Sequence, residues 1–355
     1  MKKAKKIILI IFITLLILIL GGAGAVFGYL KHELSPVGTA ETQQEVKFMI
    51  PYGTSAYEVT KELKKQNLIR NDKLFYKLLL RPKYLYYIYS DIEFPESLEF
   101  KSGMYIVKNT MNYGEIIELF ASGKKETIKI SIPEGLTISK IAKIMEENEI
   151  CKKEDFISAC HDEKVLSKLN IEADSVEGFL FPDTYFFDFG MKADQVVERL
   201  VNNFYKHLNE IEELRDKNFN DLYKTIILAS IVEREYKVKD EAPLIASVFT
   251  NRLKINMGLQ SCATVEYIIT EIQGKPHPDR IFNSDLQIDN PYNTYMWRGL
   301  PPGPISNPGM TSLKASANPP KTEYYFFQVA DEAAGRHVFT KTFNDHRKNH
   351  ILLGK

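Results

Sequence analysis

Cysteine is scarce in this chain, which has three, at positions 151, 160 and 262, among 355 residues. So few cysteines exclude a small disulfide-stapled scaffold. Buried free thiols are the expected state, and a bridge between Cys151 and Cys160 stays open as the alternative. Net charge is lacking too, because 46 Lys and Arg residues balance 46 Asp and Glu residues. The chain has no basic excess, so we expect no nucleic-acid partner.

The signatures of several common enzyme classes are missing as well. His346 and His350 stand four residues apart, but no His-Glu-x-x-His sequence occurs, so a zinc hydrolase is not predicted. Ser230 is not enclosed in a Gly-x-Ser-x-Gly turn, which excludes that type of nucleophile. The glycine-rich run from Gly21 to Gly28 lies in an apolar segment, not in a phosphate-binding loop. We expect neither a metal nor an organic cofactor.

An uncharged apolar run extends from Ile7 to Leu30. As a helix it would be roughly 36 Å long, which exceeds the ~30 Å hydrocarbon core of a bilayer. Four lysines precede it and favour a cytoplasmic N-terminus. We therefore predict a cytoplasmic tail (1–6), a single transmembrane anchor (7–30) and a polar linker (31–45). A cleaved signal peptide is the alternative, because small residues from Gly21 to Ala25 would permit cleavage.

An imperfect internal repeat follows the linker. The segment Phe48–Val59 aligns with Ile130–Ile141, and each has a strand pattern, a Pro-x-Gly turn and an amphipathic helix that Ser or Thr can cap. The exits of the two helices also align, at Asn67–Ile69 and Glu149–Cys151. This pattern resembles LysM-type carbohydrate-binding modules. We predict a LysM-like region over 46–170, with repeats near 48–75 and 130–157; an ordinary strand-turn-helix scaffold is the alternative.

Helices and loops dominate the rest of the chain. A strand pattern covers Leu98–Val107, and a short helix is predicted over Tyr113–Ser122, ending at Gly123. Further helices are predicted over Asp194–Leu208, Asp221–Tyr236 and Glu241–Ile255. The predicted fold class is therefore α+β: one N-terminal transmembrane helix, LysM-like α/β modules, and an α+β catalytic domain over 171–355.

A long proline-rich loop runs from Asn283 to Asn307. Loops of that length without regular structure are often functional. Tyr292, Tyr295 and Trp297 give this one aromatic faces suited to stacking on sugar rings. The alternative is that these aromatic residues attach the loop to the core.

Glu233 ends an otherwise apolar helical run that begins at Ile226. In helical register its neighbours one turn back are the small residues Ala229 and Ser230, which would leave room for a ligand. A carboxyl withdrawn from water has a raised pKa, as a general acid working near neutral pH needs. The alternative is a buried helix that simply emerges into solvent at Glu233.

Several ordered motifs surround Glu233 and together resemble the YceG-like family of endolytic murein transglycosylases. They are Glu177-Gly-Phe-Leu-Phe-Pro-Asp-Thr-Tyr185, Ala229-Ser-Ile-Val-Glu-Arg-Glu235, Ala246-Ser-Val-Phe-Thr-Asn-Arg-Leu253, Met257-Gly-Leu-Gln260, Pro291-Tyr-Asn-Thr-Tyr295, Gly299-Leu-Pro-Pro-Gly-Pro-Ile305, Asn307-Pro-Gly309, and the stretch from Gly335 to His346. One departure is visible, because relatives typically carry Asp-Pro after Leu-Gln-Thr, whereas this chain has Ser261-Cys-Ala263 before Thr264.

The resemblance implies a lytic transglycosylase that cleaves the β-1,4 bond between N-acetylmuramic acid and N-acetylglucosamine. Glu233 would protonate the bridging oxygen and then accept the proton of the muramic 6-hydroxyl, leaving a 1,6-anhydromuramic end. No metal or organic cofactor is implied. Glu235, two residues along a helix, should point away from this proton site. Glu177 could approach from another segment as a second carboxylate.

Neutral hydrogen-bonding side chains could orient the glycan, although structural hydrogen bonds would explain each of them equally well. The candidate substrate-binding residues are Glu177, Asn251, Gln260, Thr264, Tyr292, Asn293 and Tyr295. The expected partners are peptidoglycan strands, the cell membrane and peptidoglycan synthases, with the catalytic domain outside the membrane. The alternative function is a non-catalytic peptidoglycan-binding scaffold.

Overall fold

The computed structural model describes residues 2–331 and 333–353. Met1 of the predicted tail, and Gly354 and Lys355 of the predicted catalytic domain, lie outside the described residues. The chain divides into two compact units: unit 1 is Met1–Thr127 with Asp188–Gly190, and unit 2 is Ile128–Phe187 with Met191–Lys355. The domain boundary between residues 170 and 171 stays a prediction.

The first helix, α1 (Lys2–Leu34), contains the one segment of the described chain that is long and apolar enough to cross a membrane, Ile10–Leu34. It extends past the predicted end at Leu30, because Lys31 to Leu34 carry no helix breaker and Ser35-Pro36 comes only afterwards. Leu34 packs against the core of unit 1. The α+β class with one apolar N-terminal helix is thus confirmed.

Unit 1 is a small α/β module after this helix. Its elements are β1 (Glu45–Ile50), α2 (Ala56–Lys65), α3 (Asp72–Leu80), α4 (Pro82–Ile88), β2 (Gly103–Lys108) and α5 (Tyr113–Ser122). Strands β1 and β2 pair antiparallel, with Phe48 opposite Tyr105. Helix α5 matches its prediction and ends at Gly123, which adopts φ +74° as a left-handed C-cap. Strand β2 is shorter than the predicted 98–107.

The two repeat copies form the predicted strand, turn and helix. In unit 2 the copy consists of β3 (Thr127–Ser131) and α6 (Ile138–Glu147), and β3 pairs with β4 (Thr184–Asp188). The turn glycines Gly53 and Gly135 have φ +80° and +77°, and the helix exits Asn67 and Glu149 have φ 57° and 56°. The two copies thus share left-handed backbone conformations at equivalent positions.

The remaining elements of unit 2 are mostly helical. They are α7 (Lys153–Cys160), α8 (Glu163–Lys168), α9 (Ala193–Leu208), α10 (Phe219–Val232), α11 (Ala242–Lys254), α12 (Cys262–Tyr267), α13 (Met310–Ala317), β5 (Phe326–Asp331), β6 (Arg336–Thr340) and α14 (Phe343–Leu353). Strands β5 and β6 pair antiparallel. Cys151, Cys160 and Cys262 are free thiols, and Cys262 is exposed, contrary to the expected burial.

Helix α10 lies between the two hydrophobic cores of unit 2. Ile226 and Ala229 belong to the core formed with β4 and α9, whereas Ile231 and Val232 belong to the core formed with α11. The helix is therefore buried on all sides from Thr225 to Val232, as the apolar run in its sequence indicated. The helix ends at Val232, earlier than the predicted Tyr236, because the N–H groups of Arg234 and Glu235 bond three residues back instead of four.

Candidate functional site

Glu233 caps the C-terminal end of α10 and is 9% exposed. Its Oε2 accepts a hydrogen bond from the backbone N–H of Gly309 (2.8 Å), and its Oε1 accepts one from the hydroxyl of Tyr236 (2.9 Å). The Ser312 hydroxyl in turn donates to the Tyr236 oxygen (3.2 Å). The carboxyl is thus held by its own following turn and by the 309–312 segment, and the alternative of a simple emergence into solvent does not fit this geometry.

Burial raises the pKa of the Glu233 carboxyl, and the hydrogen bonds from Gly309, Ser312 and Tyr236 oppose that rise. The negative charge of Glu134 adds to the rise. A carboxyl with a raised pKa can hold a proton nearer neutral pH and donate it. The Gly309 N–H and the Tyr236 hydroxyl can then stabilise the carboxylate that remains.

The space beside Ala229 and Ser230 is filled by the chain itself, contrary to the expectation of room for a ligand there. The backbone N–H of Ile305 donates to the Ser230 hydroxyl (3.0 Å), and the Ser306 hydroxyl donates to the Ser230 carbonyl (3.0 Å). The small side chains let the end of the long loop approach the helix. Their effect is to dock residues 305–309 beside Glu233.

Asn307 joins this loop to two other segments. Its Oδ1 accepts from the N–H groups of Gly178 (2.9 Å) and Leu180 (2.8 Å), and its Nδ2 donates to the Leu136 carbonyl (2.9 Å) and to Glu177 Oε1 (2.7 Å). These partners lie 127 to 171 residues away in sequence. Asn307 therefore fixes the turn of the second repeat copy and the Glu177 motif next to the Gly309 backbone.

Glu177 is buried and faces these internal partners. Its Oε2 also accepts the backbone N–H of Ile138 at the start of α6 (3.1 Å). Burial raises the pKa of Glu177 to about 8. These contacts are structural hydrogen bonds that stabilise loops, which was the alternative to binding glycan.

Glu235 has different partners from Glu233, as its helical position indicated. Its Oε1 accepts from the Ser261 hydroxyl, and burial raises its pKa while Arg252 lowers it. Ser261 occupies the stretch where this chain departs from the family pattern.

The structure brings several predicted glycan-binding residues together in a second cluster. Gln260 donates its N–H to the Thr294 carbonyl (3.1 Å), the Thr264 hydroxyl lies 2.9 Å from that of Thr294, and the Asn293 Oδ1 accepts from the N–H of Tyr295 (3.0 Å). Gln260 is exposed, but Thr264 and Asn293 are fully buried. The hydroxyl of Tyr295 lies 3.0 Å from the Cys262 thiol.

Asn251 makes its hydrogen bonds to residues outside this cluster. Its Nδ2 donates to the carbonyls of Thr322 (2.9 Å) and Tyr324 (3.0 Å). Tyr292 packs its ring 5.2 Å from that of Tyr267 and so attaches the loop to the core, whereas Trp297 is half exposed. Among the described residues, no group of three or more His, Cys, Asp and Glu side chains could hold a metal ion.

The comparisons with known proteins agree on one family. The YceG-like family model matches residues 48–351. The chain belongs to the YceG-like family. The resemblance noted in the sequence is therefore confirmed.

The relatives of this YceG-like chain include a protein of Bacillus subtilis (strain 168) named endolytic murein transglycosylase, which is 33% identical over 93% of this chain and 90% of its own length. A protein of the same name from Streptococcus pneumoniae (strain D39) is 28% identical over 98% of this chain but only 64% of its own length. The crystal structure of a yceG-like protein from Listeria monocytogenes aligns with a TM-score of 0.55 at 29% identity, covering 86% of this chain and 99% of that one.

Two parts of the site of this YceG-like chain were missed in the sequence. Tyr236 lies one turn after Glu233. This Glu-x-x-Tyr spacing, which puts a hydroxyl next to a carboxylate, is a sequence signal for the contact. Glu134 lies in the Pro133-Glu-Gly135 turn of the second repeat copy, 99 residues before Glu233 in number and beside it in space. Only the folded chain brings that turn to the end of α10.

Proposed function

We propose that this chain is an endolytic murein transglycosylase that cleaves the β-1,4 bond between N-acetylmuramic acid and N-acetylglucosamine in nascent peptidoglycan. The observation that carries the proposal is the buried Glu233 carboxyl, held by the Gly309 N–H and the Tyr236 hydroxyl, with its pKa raised by burial. The names of the curated relatives support the same reaction.

In the proposed mechanism Glu233 acts twice. It first donates its proton to the bridging oxygen as the bond from that oxygen to the anomeric carbon of muramic acid breaks. The muramic 6-hydroxyl oxygen then bonds to this carbon, and its proton passes to Glu233, which regenerates the acid. The product is a 1,6-anhydromuramic end. Because the nucleophile belongs to the substrate, the enzyme needs no second carboxylate for it.

The other candidate residues divide by exposure in this proposal. Gln260, Tyr292 and Tyr295 are the proposed glycan contacts, because Gln260 is exposed and the two tyrosines are partly so. Glu177, Asn251, Thr264 and Asn293 hold the surrounding loops through internal hydrogen bonds. We assign them to maintaining the groove and not to contacting sugar.

Unit 1 is proposed to be a LysM-like module that binds glycan. A cavity of about 500 Å³ opens in unit 1 between the β1–α2 turn, α3 and the segment before β2. Its lining includes Tyr76, Leu80 and Phe100, and aromatic and aliphatic faces of this kind pack against sugar rings. Helix α1 is the proposed membrane anchor, with a cytoplasmic N-terminus, and peptidoglycan synthases are the proposed protein partners.

The proposal is tested with the full-length protein in detergent, as wild type and Glu233→Gln, incubated with purified peptidoglycan. Mass spectrometry identifies the released ends. Internal fragments with 1,6-anhydromuramic ends from the wild type alone are expected. Hydrated reducing ends would mean that water is the nucleophile, and no product from either protein would favour the non-catalytic scaffold. Glu235→Gln is the matched control, because it removes a neighbouring carboxyl with different partners.

A further inference from the structure

We propose that Glu134 is a positioning residue that acts on Glu233 through its negative charge, with Lys239 as the opposing charge. This inference rests on the function proposed above, in which Glu233 must carry a proton when the glycan binds. Nothing in the comparisons assigns a role to Glu134 or to Lys239.

The approach of Glu134 to the site is visible at Gly309. A Cβ atom on Gly309 would lie 2.3 Å from Glu134 Oε1, while the Gly309 N–H donates to Glu233 Oε2 at 2.8 Å. With standard bond lengths, these two contacts place the carboxylate oxygens within about 8 Å of each other. Gly309 has φ −85°, which any residue adopts, so a side chain here would meet no backbone strain but would displace the Glu134 carboxyl.

The turn that carries Glu134 is fixed against the same loop. The Gly135 N–H donates to the Asn307 carbonyl (2.9 Å), and the Asn307 N–H donates to the Leu136 carbonyl (2.8 Å). A Cβ on Gly135 would lie 3.5 Å from Glu233 Cγ. Glu134 is therefore presented to the site by a turn whose next two residues are hydrogen-bonded to the Asn307 backbone.

Lys239 lies on the solvent side of this arrangement. Its Nζ is 3.4 Å from Glu134 Oε1 and 3.3 Å from Oε2, and the side chains are 65% and 36% exposed. The other titratable side chains near Glu233 are Tyr236, which donates a hydrogen bond to it, and Arg234, which pairs with Glu266 instead. Glu134 is thus the carboxylate whose charge bears on Glu233, and Lys239 partly offsets that charge.

The charges predict opposite effects for the two partners. Removing the negative charge of Glu134 makes ionisation of Glu233 easier. Glu233 should then lose its proton, and the enzyme its activity, at a lower pH than in the wild type. Removing the positive charge of Lys239 should move the same loss to a higher pH. At this separation near a surface, a shift of about 0.5 pH unit is expected for each, and salt should reduce it.

The test is the pH profile of kcat/KM for full-length protein on purified peptidoglycan at low ionic strength. The expected result is that the alkaline limb moves down by about 0.5 pH unit in Glu134→Gln and up in Lys239→Met. Tyr52→Gln, at the equivalent turn position of the first copy, should leave the limb in place. A general loss of stability cannot move the two variants in opposite directions.

The outcomes distinguish a failure of this proposal from a failure of the proposed function. Limbs that coincide in wild type, Glu134→Gln and Lys239→Met overturn it, as does a rate loss in Glu134→Gln at every pH without a shift. If Glu134→Gln does not fold, Gly309→Ala displaces Glu134 without removing its charge, and a limb that stays in place there overturns the proposal. Absence of cleavage by the wild type would contradict the proposed function instead.

Discussion

The two repeat copies have the same local structure but different surroundings. In the first copy nothing lies within 4 Å of a Cβ on Gly53, whereas a Cβ on Gly135 in the second copy would contact Glu233 and Arg234. The turn residue between proline and glycine is the exposed Tyr52 in one copy and Glu134 in the other. One strand-turn-helix pattern thus serves as an exposed turn in unit 1 and as part of the candidate site in unit 2.

The helix starts of the two copies show the same difference. Ser55 and Glu58 cap α2 reciprocally, so its first N–H groups are satisfied within four residues. In α6 the Thr137 cap bond is long, 3.5 Å, and the Ile138 N–H donates to Glu177, 39 residues away. The second copy therefore depends on distant partners for bonds that the first makes locally.

The largest effect is expected for Asn307→Ala, which removes the residue joining the second copy to the loop. It leaves the buried N–H groups of Gly178 and Leu180 without their acceptor, so unfolding free energy should fall by about 3 kcal/mol. Urea unfolding of the full chain in detergent measures this. Asn109→Ala in unit 1 is the matched control, because the Asn109 amide makes the same kind of bonds, to the Gln44 N–H and the Thr42 carbonyl, at an exposed site. It is expected to cost about 1 kcal/mol, and equal losses would contradict the special role of Asn307.

A pH-dependent effect is expected for Glu177→Gln. The folded pKa is about 8, above the ordinary value, so between these values the folded protein keeps a proton that the unfolded chain releases. Wild-type stability should therefore fall as pH rises through this window, by up to about 1.4 kcal/mol per pH unit. Gln does not titrate, so the free energy of unfolding of the variant should rise relative to that of the wild type between about pH 5 and pH 8. Urea unfolding at a series of pH values measures this.

Glu58→Gln in the first copy provides the opposite control. The Ser55 N–H lowers the pKa of Glu58, so its contribution is present above the unfolded pKa and is lost as pH falls. The variant should differ from the wild type at neutral pH and converge with it in acid. Parallel pH curves for wild type and Glu177→Gln would show that Glu177 does not titrate as expected.

Gly53→Ala and Gly135→Ala should destabilise the protein equally but differ in activity. Both glycines have positive φ, where an alanine costs about 1 kcal/mol. Only the Gly135 variant places a methyl group against Glu233, so turnover on peptidoglycan should fall roughly threefold to tenfold there and stay unchanged in Gly53→Ala. Equal turnover in the two variants would remove the functional distinction between the copies.

The smallest effect is expected at the helix exits. Glu149 and Asn67 are both exposed and left-handed, but asparagine tolerates this conformation better than glutamate. Glu149→Gly should therefore stabilise the protein by about 0.5 kcal/mol, and Asn67→Gly by less. Midpoints of thermal unfolding measure the difference. A larger gain for Asn67→Gly would contradict the expectation that glutamate is the more strained residue in this conformation.

Much of the fold could be predicted because its signals are local. The end of α5 at Gly123, the repeat turns and the apolar C-terminal half of α10 each follow from residues within one or two turns of the chain. The end of α10 was misplaced because Arg234 and Glu235 favour a helix, whereas their N–H groups bond three residues back in the structure. Glu233 stood out for the same local reason: it is a carboxyl that follows a buried apolar run.

The partners of Glu233 could not be predicted in the same way. Amide and hydroxyl side chains such as Asn251 and Asn293 have the same chemistry whether they bind sugar or a backbone carbonyl, and only the fold shows that they donate to carbonyls of this chain. The family motifs indicated which segments matter. They did not indicate which side chain in each segment faces the carboxyl.

The sequence by itself determined the apolar N-terminal helix, the repeated strand-turn-helix and the position of Glu233, because hydrophobic periodicity, caps and turn glycines act over a few residues. The tertiary structure alone decided that Gly309 and Glu134 lie beside that carboxyl. The burial and charge that set its proton affinity arise where α10, the second repeat turn and the end of the long loop pack together. That packing joins segments more than 70 residues apart, beyond the reach of any local pattern.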